Sequence, residues 1–426
     1  MENVKNLCGF LDRAHSVYHA VAALTQQLAE EGYTPLSEGE NWNLQPGGKY
    51  YLTRNGSALM AFRLPETAPK GFLISASHAD RPAFKVKENA VLTGSYTRLA
   101  VERYGGGILF TWLDRPLSVA GRVLVETEAG IESRLVDIDR DLLLMPNVAI
   151  HLNRTVNDGY KWNPATDTIP LLGDKETADF WETLESLAGG RILGHDLYLY
   201  VRQKASVWGM NDEYISAQAL DDLACAWCCT QGFLQAKNEE HIQVLAAFDS
   251  EEVGSGSYQG AASDLLKTVI SRICKAMELD KKCMLANSFL VSADNGHALH
   301  PNHPELSDAA NAPMLNGGVV LKFNANQRYT TDGVSAAIFR KICAGAEVPV
   351  QTYCNRADLA GGSTLGNISL SQVAVPSADI GLPQLAMHSC YETCGTKDIT
   401  ALVKAMTAYY GAKLTFTGEG SCKMGE

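Results

Sequence analysis

Apolar and polar positions along the chain follow two alternating periods, which predict helices interleaved with strands. Residues 3–32 repeat apolar side chains at helical spacing, from Val4 and Leu7 to Leu28. Short apolar runs bounded by turn residues then predict strands at residues 50–53, 58–64, 72–75, 242–248, 288–291 and 318–323. Longer periodic stretches predict helices at residues 221–234 and 399–410. This alternation is typical of an α/β fold with a mixed, largely parallel sheet flanked by helices.

Residues 92–208 have a different pattern from the segments on either side. Residues 108–113 and 123–125 read as short strands, residues 176–187 as a helix, and residues 197–207 as one long strand. We therefore predict an inserted, β-rich second domain at residues 92–208. The surrounding α/β domain is then made of two parts, residues 1–91 and residues 209–426.

Length, charge and cysteine content narrow the class of protein. A chain of 426 residues with 46% apolar content can bury two cores, and a net charge of −12 argues against a nucleic-acid partner. No apolar run approaches the roughly 20 residues that cross a membrane, and the first residues lack the features of a signal peptide. Eleven cysteines without framework spacing indicate reduced thiols and a cytoplasmic location.

Two adjacent carboxylates, Glu251 and Glu252, follow the predicted strand at residues 242–248. In a turning backbone, neighbouring side chains point in different directions. One carboxylate could therefore bind a metal ion while the other faces a bound water, as a hydrolytic metal site requires. Because glutamate pairs are more often simply solvated, the pair becomes informative only with other polar groups in similar positions.

Four such groups lie at or beside the ends of apolar runs, namely His78, Asp221, Asp294 and His388. In a largely parallel sheet, functional groups gather at the carboxyl ends of the strands. Together with Glu252 they form a set of nitrogen and oxygen ligands suited to Zn, Mn or Co. One bridging carboxylate with two terminal ligands per ion fits a two-metal centre with ions about 3.5–4 Å apart.

Each of these residues also has an ordinary structural interpretation. His78 could be a surface-loop histidine, and Asp221 could only offset the dipole of the helix that it precedes. The Gly-rich turn at residues 361–364 lacks the lysine of a phosphate-binding loop, so we do not expect nucleotide binding.

The motifs around these positions resemble those of the aspartyl aminopeptidase family of di-zinc exopeptidases. The resemblance covers nearly the whole chain and is carried by residues 77–80, 104–107, 112–115, 120–123, 146–152, 220–222, 249–255, 292–294, 300–302, 324–329 and 387–389. It implies a zinc-exopeptidase-like catalytic domain and an inserted domain for dimerisation and further assembly. It also implies a metallo-aminopeptidase that removes N-terminal residues, acidic ones in particular, from peptides.

The resemblance implies a ligand set for two divalent metal ions, most often zinc, in each subunit. Asp221 would bridge the two ions. His78 and Asp294 would complete one site, and Glu252 and His388 the other.

The resemblance also implies roles in catalysis and substrate binding. Glu251 would be the general base, and Asp80 would orient the first metal histidine. Lys322 and Tyr329 would contact the substrate, although ordinary packing at a strand end explains them equally well. His151 would reach the active site of a neighbouring subunit in a homododecamer built from dimers, unless it packs in the core of the insert.

Four positions depart from the family pattern, namely Arg81, Ala219, Asp222 and Tyr391. The family usually has a serine at the first of these positions, an arginine at the second, an asparagine at the third and an arginine at the fourth. None of them is a candidate ligand, but lost cations near the site would weaken selection for acidic residues. Two alternatives therefore remain, an aminopeptidase of broad or neutral specificity and a shell-forming protein with a vestigial metal site.

Overall fold

The computed structural model describes residues 1–418 and 420–425. Nine α-helices are found in these residues: α1 Glu2–Leu11, α2 Val17–Glu30, α3 Phe180–Ala188, α4 Leu220–Gln235, α5 Leu265–Ala276, α6 Lys281–Ala286, α7 Gly333–Gly345, α8 Leu365–Gln372 and α9 Thr396–Gly411. None of the helices in these described ranges is long and apolar enough to cross a bilayer.

The strands, in chain order, are β1 Thr34–Pro35, β2 Lys49–Arg54, β3 Ala58–Arg63, β4 Gly71–His78, β5 Ala83–Leu92, β6 Thr97–Tyr104, β7 Leu117–Thr127, β8 Gly130–Asp137, β9 Leu171–Gly173, β10 Ile192–Val201, β11 Ser206–Trp208, β12 Tyr214–Ala217, β13 His241–Phe248, β14 Phe289–Ala293, β15 Gly296–His297, β16 Val319–Phe323, β17 Val350–Cys354, β18 Ser377–Gly381, β19 Pro383–Leu385, β20 Glu392–Gly395, β21 Lys413–Gly418 and β22 Ser421–Gly425.

A nine-stranded sheet in the order β1-β2-β3-β13-β4-β14-β18-β16-β17 forms the centre of the molecule. Its inner strands β13, β4, β14 and β18 run parallel, whereas β3 and β16 join them antiparallel. This sheet confirms the predicted mixed and largely parallel α/β architecture.

Both faces of this sheet are covered by helices. In β4, Leu73 packs into a core with α1, α2, α4, α7 and α9, whereas Phe72 and Ile74 pack into a second core with α5, α6 and α8. The strand is buried along its whole length, which explains why its apolar run is nearly continuous.

A second sheet of six strands, in the order β8-β7-β10-β5-β6-β9, has its own hydrophobic core. It is built from residues between Ala83 and Val201, so its first strand lies before the predicted start of the insert at residue 92. The exact limits of the domains remain a prediction, and the separate core of this sheet supports the presence of an inserted domain.

Three predicted elements differ in detail from the structure. The helical pattern of residues 3–32 is interrupted, because the side chain of Ser16 caps the start of α2 by accepting the backbone N–H of His19 at 3.4 Å. Residues 109–112 form a short 3-10 turn instead of a strand, since Trp112 turns inward and packs edge-on against Phe84. The helix predicted from residue 176 begins at Phe180.

The predicted strand at residues 197–207 is two strands in two different sheets. β10 ends at Val201, and β11 pairs with β12 in a five-stranded sheet that also contains β20, β19 and β15. The apolar pattern continues across this change of sheet, so the sequence does not show where the chain leaves the insert.

Candidate metal centre

The five candidate ligands lie at one edge of the nine-stranded sheet. His78 is the last residue of β4, Asp294 directly follows β14, and Glu252 lies in the 3-10 turn after β13. Asp221 is at the start of α4, and His388 is in the turn between β19 and β20. Because β4, β13 and β14 are parallel, their carboxyl ends bring these side chains together from both sides of the insert.

The side chains form two clusters that share one residue. His78, Asp221 and Asp294 have ligand atoms within 4.8 Å of one another, and so do Asp221, Glu252 and His388. Asp221 contributes one oxygen to each side, with Oδ1 lying 3.6 Å from His78 Nε2 and Oδ2 lying 3.4 Å from His388 Nε2. The shared carboxylate therefore lies between two three-residue clusters.

These spacings fit metal coordination better than direct hydrogen bonding. Most hydrogen bonds between nitrogen and oxygen are about 2.7–3.2 Å long. Two ligands bound tetrahedrally at about 2.1 Å from one zinc ion lie roughly 3.4 Å apart. Asp221 Oδ1 and Glu252 Oε1 are also buried without a hydrogen-bond partner among the described residues. A buried carboxylate oxygen without a partner is costly, and a divalent ion would satisfy both of these oxygens.

The electrostatics of the site lead to the same conclusion. Burial raises the pKa of Glu251 to about 8 and that of Asp294 to about 6. Burial also raises the pKa of Glu252, and the nearby charge of Asp221 adds to this effect. In Asp221, burial would raise the pKa, but contacts with the two histidines outweigh it and hold the pKa below its usual value. Carboxylates packed this closely repel one another unless cations lie between them.

Asp80 connects the end of β4 to the turn that contains the two glutamates. Its Oδ1 accepts the backbone N–H of Glu251 at 3.1 Å, and its Oδ2 accepts that of Glu252 at 3.2 Å. Tyr104 Oη also donates to Oδ2 at 2.8 Å. The ring Nδ1 of His78 lies 3.4 Å from Asp80 Oδ1 and 3.1 Å from its backbone oxygen. Asp80 is therefore positioned to orient both His78 and the glutamate turn.

Glu392 lies on the opposite side of the shared ligand. It is the first residue of β20 and is 1% exposed. Its two carboxylate oxygens accept the backbone N–H groups of Asp221 and His388.

Lys322 and Tyr329 lie beside the first cluster. The Lys322 side chain is buried, and its Nζ donates to the backbone oxygen of Asn295 at 3.1 Å. Nζ also lies 5.2 Å from the centre of the Tyr329 ring. Burial would lower the pKa of Lys322, but Asp294, together with Tyr329 and Asp379, outweighs this effect and keeps the ammonium charged.

His151 is exposed in the single chain, in a loop between β8 and β9. It is therefore not packed in the core of the insert. The neighbouring side chains Val148, Ile150 and Leu152 are also exposed, the last to 83%. A run of apolar side chains facing solvent is typical of a surface that contacts another chain.

The four departures from the family pattern are placed without blocking either cluster. Arg81 is buried and donates to the backbone oxygens of Ala14 and His15. Asp222 accepts the backbone N–H of His78 at 3.2 Å. Ala219 adopts a left-handed conformation before α4, and Tyr391 Oη donates to the backbone oxygen of residue 204 at 2.8 Å.

No motif in the sequence indicates the contacts that Tyr104 and Glu392 make. Tyr104 ends β6 just before a Gly-rich turn, and nothing in its neighbours indicates a contact with Asp80. Glu392 follows the last candidate ligand by four residues, and this proximity was the only available signal.

Comparison with known proteins identifies related sequences along nearly the whole chain. The family model of the aminopeptidase I zinc metalloproteases (M18) matches residues 10–410. A probable M18 family aminopeptidase 2 from Clostridium novyi is 40% identical over 427 residues, which cover 96% of this chain and 96% of the relative.

Solved structures give the same result. The structure of Ape4 in a complex with Nbr1 has a TM-score of 0.92 at 35% identity, covering 96% of this chain and 85% of the other. The mApe1 dodecamer of S. cerevisiae has a TM-score of 0.85 at 27% identity, with 96% of each chain covered.

Proposed function

The chain belongs to the M18 family of zinc aminopeptidases, and we propose that it removes acidic residues, Asp or Glu, from the N-termini of peptides. We further propose that each subunit uses two divalent metal ions, with zinc as the expected metal and Mn or Co as the alternatives. The relatives support aminopeptidase activity in general. The preference for acidic residues is proposed here from the residues of the site.

One observation carries the proposed two-ion mechanism, namely that Asp221 belongs to both clusters. When bound, the ions would lower the pKa of a water molecule towards neutrality and polarise the scissile carbonyl. Glu251 takes a proton from the attacking water and returns it to the leaving amine. Asp80 holds the backbone of Glu251 through Oδ1 and so fixes the direction from which that base acts.

The preference for acidic residues is supported by the buried charge of Lys322. Its ammonium lies next to Asp294 and uses one donor for the backbone oxygen of Asn295. An ammonium carries three donors, so further donors remain for a substrate carboxylate. A buried cation attracts such a carboxylate more strongly than an exposed one, because water screens it less.

We also propose that the chain assembles into a homododecamer built from dimers, and the solved mApe1 dodecamer supports an assembly of twelve subunits. In this assembly His151 would reach the active site of a neighbouring subunit. The exposed apolar side chains around His151 support a contact between chains at this loop.

A panel of N-terminal amide substrates tests the proposed specificity. The purified chain is assayed with Asp, Glu, Leu and Gly substrates in the presence of Zn²⁺, Mn²⁺ or Co²⁺. We expect kcat/KM for Asp and Glu to exceed that for Leu by at least about tenfold, which corresponds to about 1.4 kcal/mol. Faster turnover of Leu would favour the broad or neutral aminopeptidase, and no turnover of any substrate would favour the shell-forming protein.

The Lys322→Met variant tests whether Lys322 determines the preference for acidic residues or contributes equally to the hydrolysis of every substrate. Methionine has a similar length but no charge, so kcat/KM for Asp should fall more than kcat/KM for Leu. Equal losses for both substrates would mean that Lys322 has a structural role only.

A further inference from the structure

We propose that Glu392 is a positioning residue that couples the two metal sites through the backbone of their ligands. The inference rests on the proposed function, because it concerns the same two-ion centre. It assigns a role to a buried carboxylate that is not itself a member of either candidate ligand cluster.

The carboxylate of Glu392 makes one hydrogen bond to each of two ligand-bearing residues. Oε2 accepts the backbone N–H of Asp221 at 3.0 Å, and Oε1 accepts the backbone N–H of His388 at 2.7 Å. Since the two oxygens belong to one planar group, the two backbone segments are held at a fixed separation. Asp221 Oδ2 lies 3.4 Å from His388 Nε2, so this separation sets the geometry of the second cluster directly.

Neither ligand has a regular backbone conformation that would position it without such a contact. Asp221 is the second residue of α4, but its φ of −87° and ψ of 110° lie outside the helical range. The first N–H groups of a helix have no partner within the helix. His388 has a φ of +66°, a left-handed turn that is uncommon for a residue with a side chain. Both segments therefore depend on an acceptor from elsewhere in the chain.

Glu392 is suited to provide that acceptor because its own backbone is firmly held. It begins β20, which pairs with β12 on one side and β19 on the other. Ala217, its partner in β12, lies only a few residues before Asp221.

The arrangement predicts unequal effects on the two sites. The cluster of Asp221, Glu252 and His388 contains two residues held by Glu392, whereas the cluster of His78, Asp221 and Asp294 contains one. Loss of the Glu392 carboxylate should therefore weaken both sites, and the site of Asp221, Glu252 and His388 more strongly.

The test is Co²⁺ binding to the full-length Glu392→Gln variant. Binding is measured by titration, and the coordination of the bound cobalt by its visible spectrum. Glutamine presents an NH2 group to one of the two backbone N–H donors, so only one contact survives. We expect the Co²⁺ dissociation constant of the site formed by Asp221, Glu252 and His388 to rise by about 10- to 100-fold, the range typical for partners that orient ligands, and that of the other site to rise less. The cobalt spectrum should also change.

Asp398→Asn is the matched control. Asp398 is also a buried carboxylate that accepts two backbone N–H groups, from Asn316 at 2.6 Å and Gly318 at 2.8 Å. The control should lower the melting temperature without changing the cobalt spectrum or affinity. A merely structural role for Glu392 would give the same result in both variants.

Glu392→Asp keeps the inference testable if the glutamine variant does not fold. Aspartate retains the carboxyl group but is one methylene shorter, so we expect a cobalt affinity between those of the wild type and the glutamine variant. If Glu392→Gln binds two ions with wild-type affinity and spectrum, the role of Glu392 is refuted, but the proposed two-ion site is not. A wild-type chain that binds fewer than two ions would instead overturn the proposed two-ion site.

Discussion

The carboxylate of Asp80 accepts the backbone N–H of Glu251 at 3.1 Å, across 171 positions of the chain. This contact joins the end of β4 to the turn after β13, the strand that pairs with it in parallel. The orientation of the proposed general base is therefore set by a residue that precedes the insert, although Glu251 itself follows it.

Asp80→Asn should lower kcat/KM by about 10- to 100-fold and weaken metal binding, because the amide NH2 cannot accept a backbone N–H. Steady-state kinetics and metal analysis of the purified variant measure both effects. Tyr104→Phe removes only the hydroxyl that donates to the same carboxylate and should cost no more than about tenfold. Equal losses in the two variants would contradict the orienting role of Asp80.

Glu251→Gln should reduce kcat by about 10²- to 10⁴-fold, because the amide cannot take a proton from water. Metal content, measured by elemental analysis, should remain near that of the wild type. Asp221→Ala is the comparison, and it should lose both ions because its carboxylate lies in both clusters. Loss of metal from Glu251→Gln would mean that Glu251 is a ligand, and retention of two ions by Asp221→Ala would refute the bridge.

Mixed assemblies test the role of His151. Glu251→Gln subunits and His151→Phe subunits, each inactive alone, are dissociated together and reassembled. Activity should return, since some sites then combine an intact Glu251 with His151 of a neighbour. A fully active His151→Phe variant, or a chain that sediments only as a monomer, would contradict the shared site.

Gly232→Ala should destabilise the catalytic domain by about 1–3 kcal/mol, the usual cost of overpacking. A Cβ at Gly232 in α4 would overlap Met406 of α9. Gly9→Ala in α1 is the matched control, because its Cβ would meet no other atom and should stabilise the helix by about 0.5–1 kcal/mol. Urea unfolding compares the two variants, and opposite shifts of the midpoint are expected.

The stability of the chain should depend on pH through His19. Burial lowers the pKa of this histidine from 6.5 to about 4, so the folded state holds it neutral. The unfolded chain binds a proton below pH 6.5, whereas the folded chain does so only near pH 4. Stability is therefore full above pH 6.5 and falls as the pH decreases towards 4, by at most about 1.4 kcal/mol per pH unit.

His19→Gln should reduce this slope in urea unfolding between pH 4 and 6.5. The measurement is made with EDTA present, so that release of metal ions does not contribute. His303→Gln is the control, since its side chain is 60% exposed. An unchanged slope in His19→Gln would show that other groups cause the acid sensitivity.

The central strands and the positions of the candidate ligands His78 and Asp294 could be predicted from the sequence, because each has a local signal. The nearly continuous apolar run before His78 reflects a strand buried on both faces, and Asp294 directly follows a second buried strand. The contact between Glu392 and Asp221 could not be predicted, since hydrogen bonds to backbone N–H groups do not depend on neighbouring residue types. The split between β10 and β11 was missed for a related reason, because a change of sheet keeps the period of two.

The position of the insert between β4 and β13 separates the synthesis of His78 from that of the other candidate ligands. β4 ends at His78, and its partner strand begins only at His241. At the usual rate of about 5–20 residues per second, the ribosome needs roughly ten to thirty seconds to make the intervening segment. The strands of the six-stranded sheet are complete within that interval. The nascent chain can thus fold the insert before β13 and β14, the two strands that flank β4, have been made.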